Sequence, residues 1–344
     1  MRLFLIRHGE TVDNVAGILA GRRDSALTNH GAEQARRLSD YLAENRTSLT
    51  RIFSSTLQRA YKTASIVAAK QTTTDLTVST VPYLIERDFG YYEGKTNRVR
   101  KGPDAEEHKK EPGFVDVESK DELAVRADLF LDLHLLPLLD DEAEFGGAAE
   151  HVVAVVSHGI LLSSLWRRLL LRLGPGSVTV ARDVVSNRGP VVLAHLGGWS
   201  NTGFLELSIQ SVDPELGSEL SPADAGSSPP ESDATVNVST LDSPGNSPGE
   251  VVPPQLLTES SGIEMPTDQS DVVGDVSVTK NAINAEPSEK EGLRLLEGYR
   301  TTILIVDGQQ HLQGLKRQRG GIGRAEHDDK QQSMTSFFKK ARKD

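Results

Sequence analysis

Short apolar runs alternate with longer amphipathic segments over the first 210 residues, and this alternation predicts an α/β fold. Residues 3–6 and 152–156 are wholly apolar, which is typical of strands covered on both faces of a sheet. Further strands are predicted at residues 51–55, 76–81, 191–195 and 204–209. We therefore expect a three-layer sandwich, in which a mostly parallel central sheet is flanked by helices.

Four segments between these strands have the apolar period of an α-helix. Three of them are residues 32–42, 57–67 and 160–173. Thr28 is suitably placed to cap the first of these helices. The remaining helix is predicted to begin after Ser119, which forms a capping-box pattern with Glu122, and to end near Leu136, because Pro137 follows.

Two polar segments are predicted to be loops. Residues 12–24 contain Gly17, Gly21 and Asp24, which are typical of irregular backbone. Residues 95–117 are polar and include Gly102-Pro103 and Pro112-Gly113. The second segment is long enough to form a lid over a site and to select its ligand.

Composition narrows the classes of function. The 344 residues include no Cys, which excludes a disulfide framework, a thiolate metal site and a Cys nucleophile. The net charge of −11 argues against a general nucleic-acid surface. No run approaches the roughly 18 apolar residues that a membrane helix needs, so we expect an intracellular protein with no membrane contact.

Cations and imidazoles follow the two most apolar strands. Arg7, His8 and Gly9 come directly after the first strand, and His158 and Gly159 follow the strand at residues 152–156. Ligands of open α/β sheets bind at the carboxyl ends of the strands, so these side chains are predicted to share a site.

The Arg-His-Gly and Ser-His-Gly motifs, each after a strand, resemble those of the histidine phosphatase superfamily, also called phosphoglycerate-mutase-like. The frame Ser-Ser-x-x-x-Arg-Ala-x-x-Thr-Ala at residues 54–64 and the Leu-x-Glu segment ending at Glu86 are similar to two further family motifs. The resemblance covers residues 1–210. It implies a phosphatase that hydrolyses a phosphate monoester through phosphohistidine, with phosphoglycerate mutase or a non-catalytic binding module as alternatives.

The resemblance also implies a role for each site residue. His8 would attack phosphorus, and Glu86 would protonate the leaving oxygen. Arg7, Arg59 and His158 would both bind the phosphoryl group and take part in catalysis. The substrate-binding set is completed by Asn14 and Gly159. Glu93 is the competing carboxylate, but it occupies a Glu-Gly position that is usually structural.

Neither a metal ion nor a cofactor is required by this chemistry, because the cations are supplied by the protein. The nine His residues have no His-Glu-x-x-His or similar metal-ligand spacing. The segment after the first motif also lacks the Asn-x-Phe-Thr-Gly-Trp pattern that mutases of this family usually carry, which favours a metal-independent phosphatase. The substrate is expected to be a phosphorylated small molecule or a phosphoprotein.

The C-terminal 134 residues differ from the first 210 in composition. Residues 211–289 are acidic and rich in Ser, Pro and Gly, which predicts a long disordered linker. Order is expected to return within residues 290–327, where the β-rich run 299–306 could add an edge strand to the catalytic domain before a basic, Gly-rich segment. Residues 328–344 form a basic tail.

The tail resembles a PIP box, the peptide that docks on the sliding clamp PCNA. The pattern is formed by Gln331, Met334, Phe337 and Phe338. One tight helical turn would bring the three apolar side chains to one side as a plug. We expect such a tail, tethered by the acidic linker, to recruit the enzyme to the clamp without direct DNA binding, in the nucleus, the cytoplasm or both.

Overall fold

The computed structural model describes residues 1–144, 151–212, 293–318 and 321–328, and it contains a seven-stranded mixed sheet. The strands are β1 Arg2–Arg7, β2 Arg51–Ser54, β3 Val78–Thr80, β4 Val152–Ser157, β5 Val178–Val180, β6 Phe204–Ser211 and β7 Tyr299–Gly308. Their order is β3-β2-β4-β1-β6-β7-β5. Within this sheet only β6 is antiparallel to its neighbours, so the predicted α/β fold with a mostly parallel sheet is confirmed.

Helices connect the strands on both faces of the sheet. They are α1 Val12–Ala16, α2 Asn29–Glu44, α3 Gln58–Ala68, α4 Asn97–Arg100, α5 Ala105–His108, α6 Lys120–Phe130, α7 Leu136–Glu144, α8 Gly159–Arg172 and α9 Arg182–Arg188. None of the helices in the described part of the chain is long and apolar enough to cross a membrane.

The core has two halves because side chains of a strand alternate between the faces of the sheet. Phe4 and Ile6 of β1 pack with apolar residues of α2 and α3. Leu3 and Leu5 of the same strand pack with α6, α7 and α8 on the opposite face. Burial of both faces explains why β1 and β4 are continuous apolar runs. The three layers predicted from the pattern are therefore present.

The run at residues 191–195 is not a strand, contrary to the prediction. It follows Gly189 and Pro190 and has no sheet partner in the described chain. Val191 and Leu193 nevertheless pack against the core, while Val192 is exposed. The alternation of buried and exposed side chains at residues 191–195 therefore comes from an irregular segment that packs on the core. The strand that pairs with β6 is β7.

The returning strand lies inside the sheet and not at its edge. β7 pairs antiparallel with β6, from Ser211 opposite Tyr299 to Phe204 opposite Gly308, and parallel with β5 on its other side. The predicted linker at residues 211–289 therefore connects two neighbouring strands. Apart from Ser211, which belongs to β6, and residue 212, that linker and its predicted disorder lie outside the described residues, as do tail residues 329–344.

Two local predictions were wrong: the end of the helix that follows Ser119, and the loop assigned to the residues after Thr11. The helix after Ser119 does begin with the predicted capping box, but it continues beyond Pro137. A π-helical turn, Leu131–Leu135, precedes α7, so Pro137 falls in the first turn of a new segment, where its missing N–H costs little. Residues predicted as loop form α1, because Thr11 and Asn14 make a second capping box.

The predicted lid at residues 95–117 contains two short helices, α4 and α5, and is fixed to the segment before it. Four aromatic rings cluster at its base, those of Tyr91, Tyr92, His108 and Phe114. The N–H of Tyr91 donates to the carbonyl of Val115 at 2.8 Å. The conformation of residues 95–117 is therefore set by contacts within this segment and with Tyr91 and Tyr92.

Candidate active site

The predicted site forms at the carboxyl ends of the adjacent strands β1 and β4. Their register places Arg7 opposite Ser157, so His8 and His158 follow at the same level. The N–H of His8 donates to the carbonyl of Ser157 at 2.9 Å. The two imidazole rings lie edge to face with centroids 5.1 Å apart. Parallel pairing alone brings together two residues that are 150 positions apart in the chain.

His8 is buried with a defined tautomer. Its Nδ1 lies 2.7 Å from the carbonyl oxygen of Gly9, and because a carbonyl only accepts, Nδ1 carries the proton and Nε2 keeps its lone pair. Burial, together with the charges of Arg59 and Arg7, holds the pKa of His8 well below its usual value. The imidazole is therefore neutral at neutral pH, which is the form that can act as a nucleophile.

Arg7 extends from the end of β1 to the turn that precedes β6. Its Nη1 donates to the carbonyl oxygen of Trp199 at 2.6 Å. Its Nε is buried and has no hydrogen-bond partner among the described residues. Burial lowers the pKa of Arg7, and the carboxylates of Glu86 and Asp307 oppose that effect. An unused guanidinium donor of this kind is suited to an oxygen of a bound anion.

Arg59, in the first turn of α3, has its guanidinium fixed from three directions. Nη1 and Nη2 donate to the carbonyl oxygens of Arg23 and Gly21 at 2.7 and 2.6 Å. Nε donates to Nδ1 of His158 at 3.2 Å. Burial lowers the pKa of Arg59, and the charge of Glu86 opposes it. A second buried cation is thus held beside the two imidazoles.

His158 uses both ring nitrogens in this arrangement. Because Nδ1 accepts from Arg59, Nε2 carries the proton and donates to Oγ of Ser55 at 2.9 Å. Burial, with the charges of Arg59 and His8, holds the pKa of His158 well below its usual value. The predicted donation from His158 to a phosphoryl oxygen stays a prediction, and it requires Arg59 to leave Nδ1 and that nitrogen to be protonated.

Glu86 lies at the N-terminus of α8, immediately beyond His158. Its Oε1 accepts from the N–H groups of Arg87 at 2.8 Å and Leu161 at 3.2 Å, and Oε2 accepts from Ile160 at 3.4 Å. The exposed amides of a helix N-terminus favour a carboxylate. The side chain is thus fixed near both cations, while its role as a proton donor stays a prediction.

The competing carboxylate, Glu93, ties two loops together. Its Oε1 accepts from the N–H groups of Arg22 at 2.6 Å and Phe89 at 3.4 Å. A Cβ atom at Gly21 would lie 2.1 Å from this oxygen, so the close approach requires glycine. Burial raises the pKa of Glu93. These contacts give Glu93 a structural role between the two loops, and its lower rank as an acid stays a prediction.

Asn14 and Gly159 border the same site. Oδ1 of Asn14 accepts from the N–H of Thr11 and from Nδ2 of Asn201, each at 3.2 Å, which leaves its own Nδ2 as the donor. Gly159 is the first residue of α8, and a Cβ atom there would lie 3.8 Å from Nε of Arg7. Gly159 is thus beside the guanidinium of Arg7, and Asn14 is linked to the loop after β1 through Asn201. Contact of either residue with a bound anion stays a prediction.

Support for the loop after β1 comes from residues that the sequence patterns did not indicate. Nδ2 of Asn201 donates to the carbonyl of His8 at 3.1 Å, and the N–H of Thr202 donates to that of Arg7 at 3.0 Å. Thr202 has φ of 57°, a left-handed conformation that is uncommon for threonine. The sequence motifs did not identify these residues, because a motif contains the groups that react and not those that support them.

No group of three or more His, Asp and Glu residues in the described ranges is arranged to hold a metal ion. The charged groups that act most strongly on His8 are the guanidinium groups of Arg59 and Arg7, with the carboxylate of Glu86 near both. This donor set suits an anion, since hard cations such as Mg²⁺ bind through oxygen ligands.

Comparison with known proteins finds relatives that are mostly named phosphatases, together with a phosphoglycerate mutase of Azorhizobium caulinodans that is 35% identical over 92 residues. A probable phosphatase of Schizosaccharomyces pombe is 36% identical over 171 residues, which are 49% of this chain and 56% of that protein. The adenosylcobalamin/alpha-ribazole phosphatase of Escherichia coli is 38% identical over 108 residues, or 31% of this chain and 51% of the relative. The chain thus spans about half the length of these curated relatives.

A solved structure of mycobacterial glucosyl-3-phosphoglycerate phosphatase is 29% identical, with a TM-score of 0.45, and the match covers 61% of this chain and 91% of that one. The family model that matches residues 3–179, just over half of the chain, is the histidine phosphatase superfamily, branch 1. That segment includes Arg7, His8, Arg59, Glu86 and His158, and the chain belongs to the histidine phosphatase superfamily.

Proposed function

We propose that this protein is a phosphatase that hydrolyses a phosphate monoester through a phosphohistidine intermediate on His8. The observation that carries the proposal is the state of His8, a buried neutral imidazole whose Nδ1 is fixed on the Gly9 carbonyl between two buried guanidinium groups. Nε2 is then the free nucleophile, and the cations attract the dianionic group that it attacks.

The reaction has two displacements at phosphorus. In the first, Nε2 of His8 forms the N–P bond, the P–O bond to the leaving group breaks, and Glu86 gives its proton to the departing oxygen. In the second, water attacks phosphorus and returns a proton to Glu86, the N–P bond breaks, and inorganic phosphate leaves. Arg7 and Arg59 donate to the phosphoryl oxygens throughout.

His158 keeps the donors aligned in this scheme. Its contact with Nε of Arg59 orients that guanidinium while the site is empty. When a phosphoryl group takes over the Arg59 donor, Nδ1 of His158 is released and, once protonated, becomes an additional donor to the oxygens. The same cationic surroundings that keep the imidazole neutral without ligand would be balanced by the dianion.

A phosphorylated small molecule is the substrate class we favour over a phosphoprotein. Relatives are named for small substrates, among them alpha-ribazole phosphatase and glucosyl-3-phosphoglycerate phosphatase. We infer that the predicted lid at residues 95–117, which has its own aromatic base, closes a pocket for a small molecule and does not line an open groove for a polypeptide. A phosphatase is favoured over a mutase because the segment after Asn14 lacks the mutase pattern.

We expect the full chain to hydrolyse p-nitrophenyl phosphate equally well with and without excess EDTA. The reason is that the charges which stabilise the transferring group belong to Arg7 and Arg59 and not to a bound ion. The measurement is the initial rate after gel filtration in chelator. A rate that disappears in EDTA and returns with a divalent cation would contradict the metal-independent mechanism. Profiling phosphosugars, nucleotides and phosphopeptides in the same assay identifies the substrate class.

The Glu86→Gln variant is expected to lose more activity on poor leaving groups than on good ones. Glutamine retains a carbonyl acceptor for the α8 amides but carries no transferable proton, and an alkyl ester needs that proton more than an aryl ester does. We expect about a hundredfold loss on an alkyl phosphate and about tenfold or less on p-nitrophenyl phosphate. Glu93→Gln is the matched control, and a leaving-group dependence confined to that variant would reassign the acid.

We further propose that residues 331–338 bind the PCNA clamp and place the enzyme at sites of DNA synthesis in the nucleus. The support is the spacing of Gln331, Met334, Phe337 and Phe338. The last described residues before this tail pair with the domain, since the N–H of His327 donates to the carbonyl of Leu27 at 2.8 Å. The tail therefore starts from the catalytic domain, and the acidic segment does not act as its tether.

The test for clamp binding is calorimetric titration of the full chain into PCNA. We expect micromolar or tighter binding that is lost when Phe337 and Phe338 are both replaced by Ala, because these rings supply the apolar plug. The matched control replaces Lys339 and Lys340 by Ala and should weaken binding only modestly, through the association rate. Binding that persists without the two rings would refute the docking proposal and leave the enzyme proposal intact.

A further inference from the structure

The turn at residues 199–202 holds the catalytic loop, and it is itself held by a segment outside the family match. We call residues 307–318, the last two residues of β7 and the segment that follows it, the strap. The family model ends at residue 179, so the strap is not part of it. The carbonyl of Trp199 accepts from Arg7, and Asn201 and Thr202 bind the carbonyls of His8 and Arg7. Movement of this turn would thus move both catalytic side chains.

Asp307 makes the first hydrogen-bonded contact between the strap and the turn. Its Oδ1 accepts from the N–H of Ser200 and its Oδ2 from the hydroxyl of Ser200, each at 2.8 Å. Asp307 has φ of 46°, so the backbone is held in a left-handed conformation that costs energy for a non-glycine residue. Ser200 is next to Trp199, whose carbonyl aligns the guanidinium of Arg7.

His311 is the second point of contact. Its Nε2 lies 2.9 Å from Oγ1 of Thr202, and because that hydroxyl donates to the carbonyl of Asn201 at 2.7 Å, Nε2 must be the donor. The ring packs near Tyr41 and Phe204. Burial, with the charge of Arg37, lowers the pKa of His311 to about 4, so the ring is neutral at pH 7.

Arg317 contacts the catalytic loop directly, through Glu10. Its two terminal nitrogens form a bidentate ion pair with Glu10, with Nη1 3.0 Å from Oε1. Glu10 is buried, directly follows Gly9, and also accepts from the hydroxyl of Thr28 at 2.8 Å. Gly9 carries the carbonyl that fixes the tautomer of His8. A buried carboxylate without its cation would be strongly unfavourable, so this pair fixes the loop.

We propose that Asp307, His311 and Arg317 are positioning residues for phosphoryl transfer, acting through the turn and through Glu10 on Arg7 and His8. The inference rests on the proposed function and extends it, because it assigns a role in supporting catalysis to a segment that follows the acidic linker at residues 211–289. Through Trp199 the strap sets the direction of the unpartnered Nε of Arg7, and through Glu10 it sets the backbone that holds His8.

The test compares Asp307→Gly with Asp307→Asn in the full chain. Glycine accepts the left-handed backbone but loses both contacts to Ser200. Asparagine tolerates that backbone, accepts from the Ser200 N–H through Oδ1, and can donate from Nδ2 to the Ser200 hydroxyl oxygen in place of the second contact. We expect Asp307→Gly to lower kcat on p-nitrophenyl phosphate by about tenfold to a hundredfold and to weaken inhibition by vanadate by a similar factor. Asp307→Asn should remain within about threefold of the parent for both, since it keeps the bond from the Ser200 N–H and replaces the hydroxyl contact by a donation from Nδ2.

The control is Gln309→Ala, which removes an exposed partner of the same carboxylate and should change neither quantity. Circular dichroism and melting curves establish that each variant is folded at the assay temperature. Ser200→Ala, which deletes only the hydroxyl contact, gives a milder test if Asp307→Gly does not fold, and it should lower kcat severalfold. Folded variants with parental kcat and vanadate inhibition would overturn the positioning role. An inactive parent chain would instead overturn the proposed function.

Discussion

The His8→Ala variant is expected to lose phosphatase activity by at least about a thousandfold, because it removes the atom that forms the bond to phosphorus. The fold should survive this change, since alanine at the end of β1 leaves the pairing of Arg7 with Ser157 in place. Loss of the imidazole also removes the covalent intermediate. In the parent chain, rapid acid-free denaturation during turnover should trap a phosphoryl group that is labile in acid and stable in alkali.

The control for this experiment is His195→Ala, which removes an exposed imidazole and should leave the rate unchanged. Rates are measured on p-nitrophenyl phosphate, and the trapped phosphoryl group is located by peptide mass spectrometry. Retention of activity in His8→Ala would contradict the nucleophile assignment. A trapped phosphoryl group on another residue would contradict it as well, while leaving phosphatase activity itself in place.

The centre of the site could be predicted from sequence because it is built from local patterns. Two wholly apolar strands end in His-Gly pairs, and parallel pairing in register then places His8 and His158 side by side. Arg59 was indicated by the family frame at residues 54–64, because a cation in the first turn of a helix is by itself most often a solvated surface group. The chemistry in each case is encoded within a few residues of a strand end.

The supports of the site could not be predicted in this way, because they depend on pairing between distant segments. β6 and β7 are neighbours in the sheet, yet residues 212–298 separate them in the chain. Asp307-Gly308 indicated only the end of a strand, and nothing in its composition identified Ser200 as its partner. The error at residues 191–195 has the same origin, since periodicity reports which side chains are buried and not which backbone pairs.

Deletion of the acidic linker and deletion of the returning strand β7 should have opposite effects on folding and activity. Replacing residues 213–292 with a short Gly/Ser linker is expected to preserve folding and phosphatase activity, because Ser211 and Tyr299 already pair across the junction. Ending the chain after Val212 is expected to abolish both. That truncation removes Leu296, Ile303 and Val306, which are buried in the core.

The loss of stability expected from truncation after Val212 follows from the burial of these three side chains. Each buried Leu, Ile or Val contributes about 1.5–3 kcal/mol, so three of them approach the 5–15 kcal/mol that stabilises a typical domain. Loss of β7 would also leave β6 as an unpaired edge and remove the strap residues that bind Ser200, Thr202 and Glu10. A chain that ends after Asp328 is the control for loss of the tail. Thermal melting and p-nitrophenyl phosphate hydrolysis distinguish the variants, and a folded, active truncation at Val212 would show that the catalytic domain is complete without its returning strand.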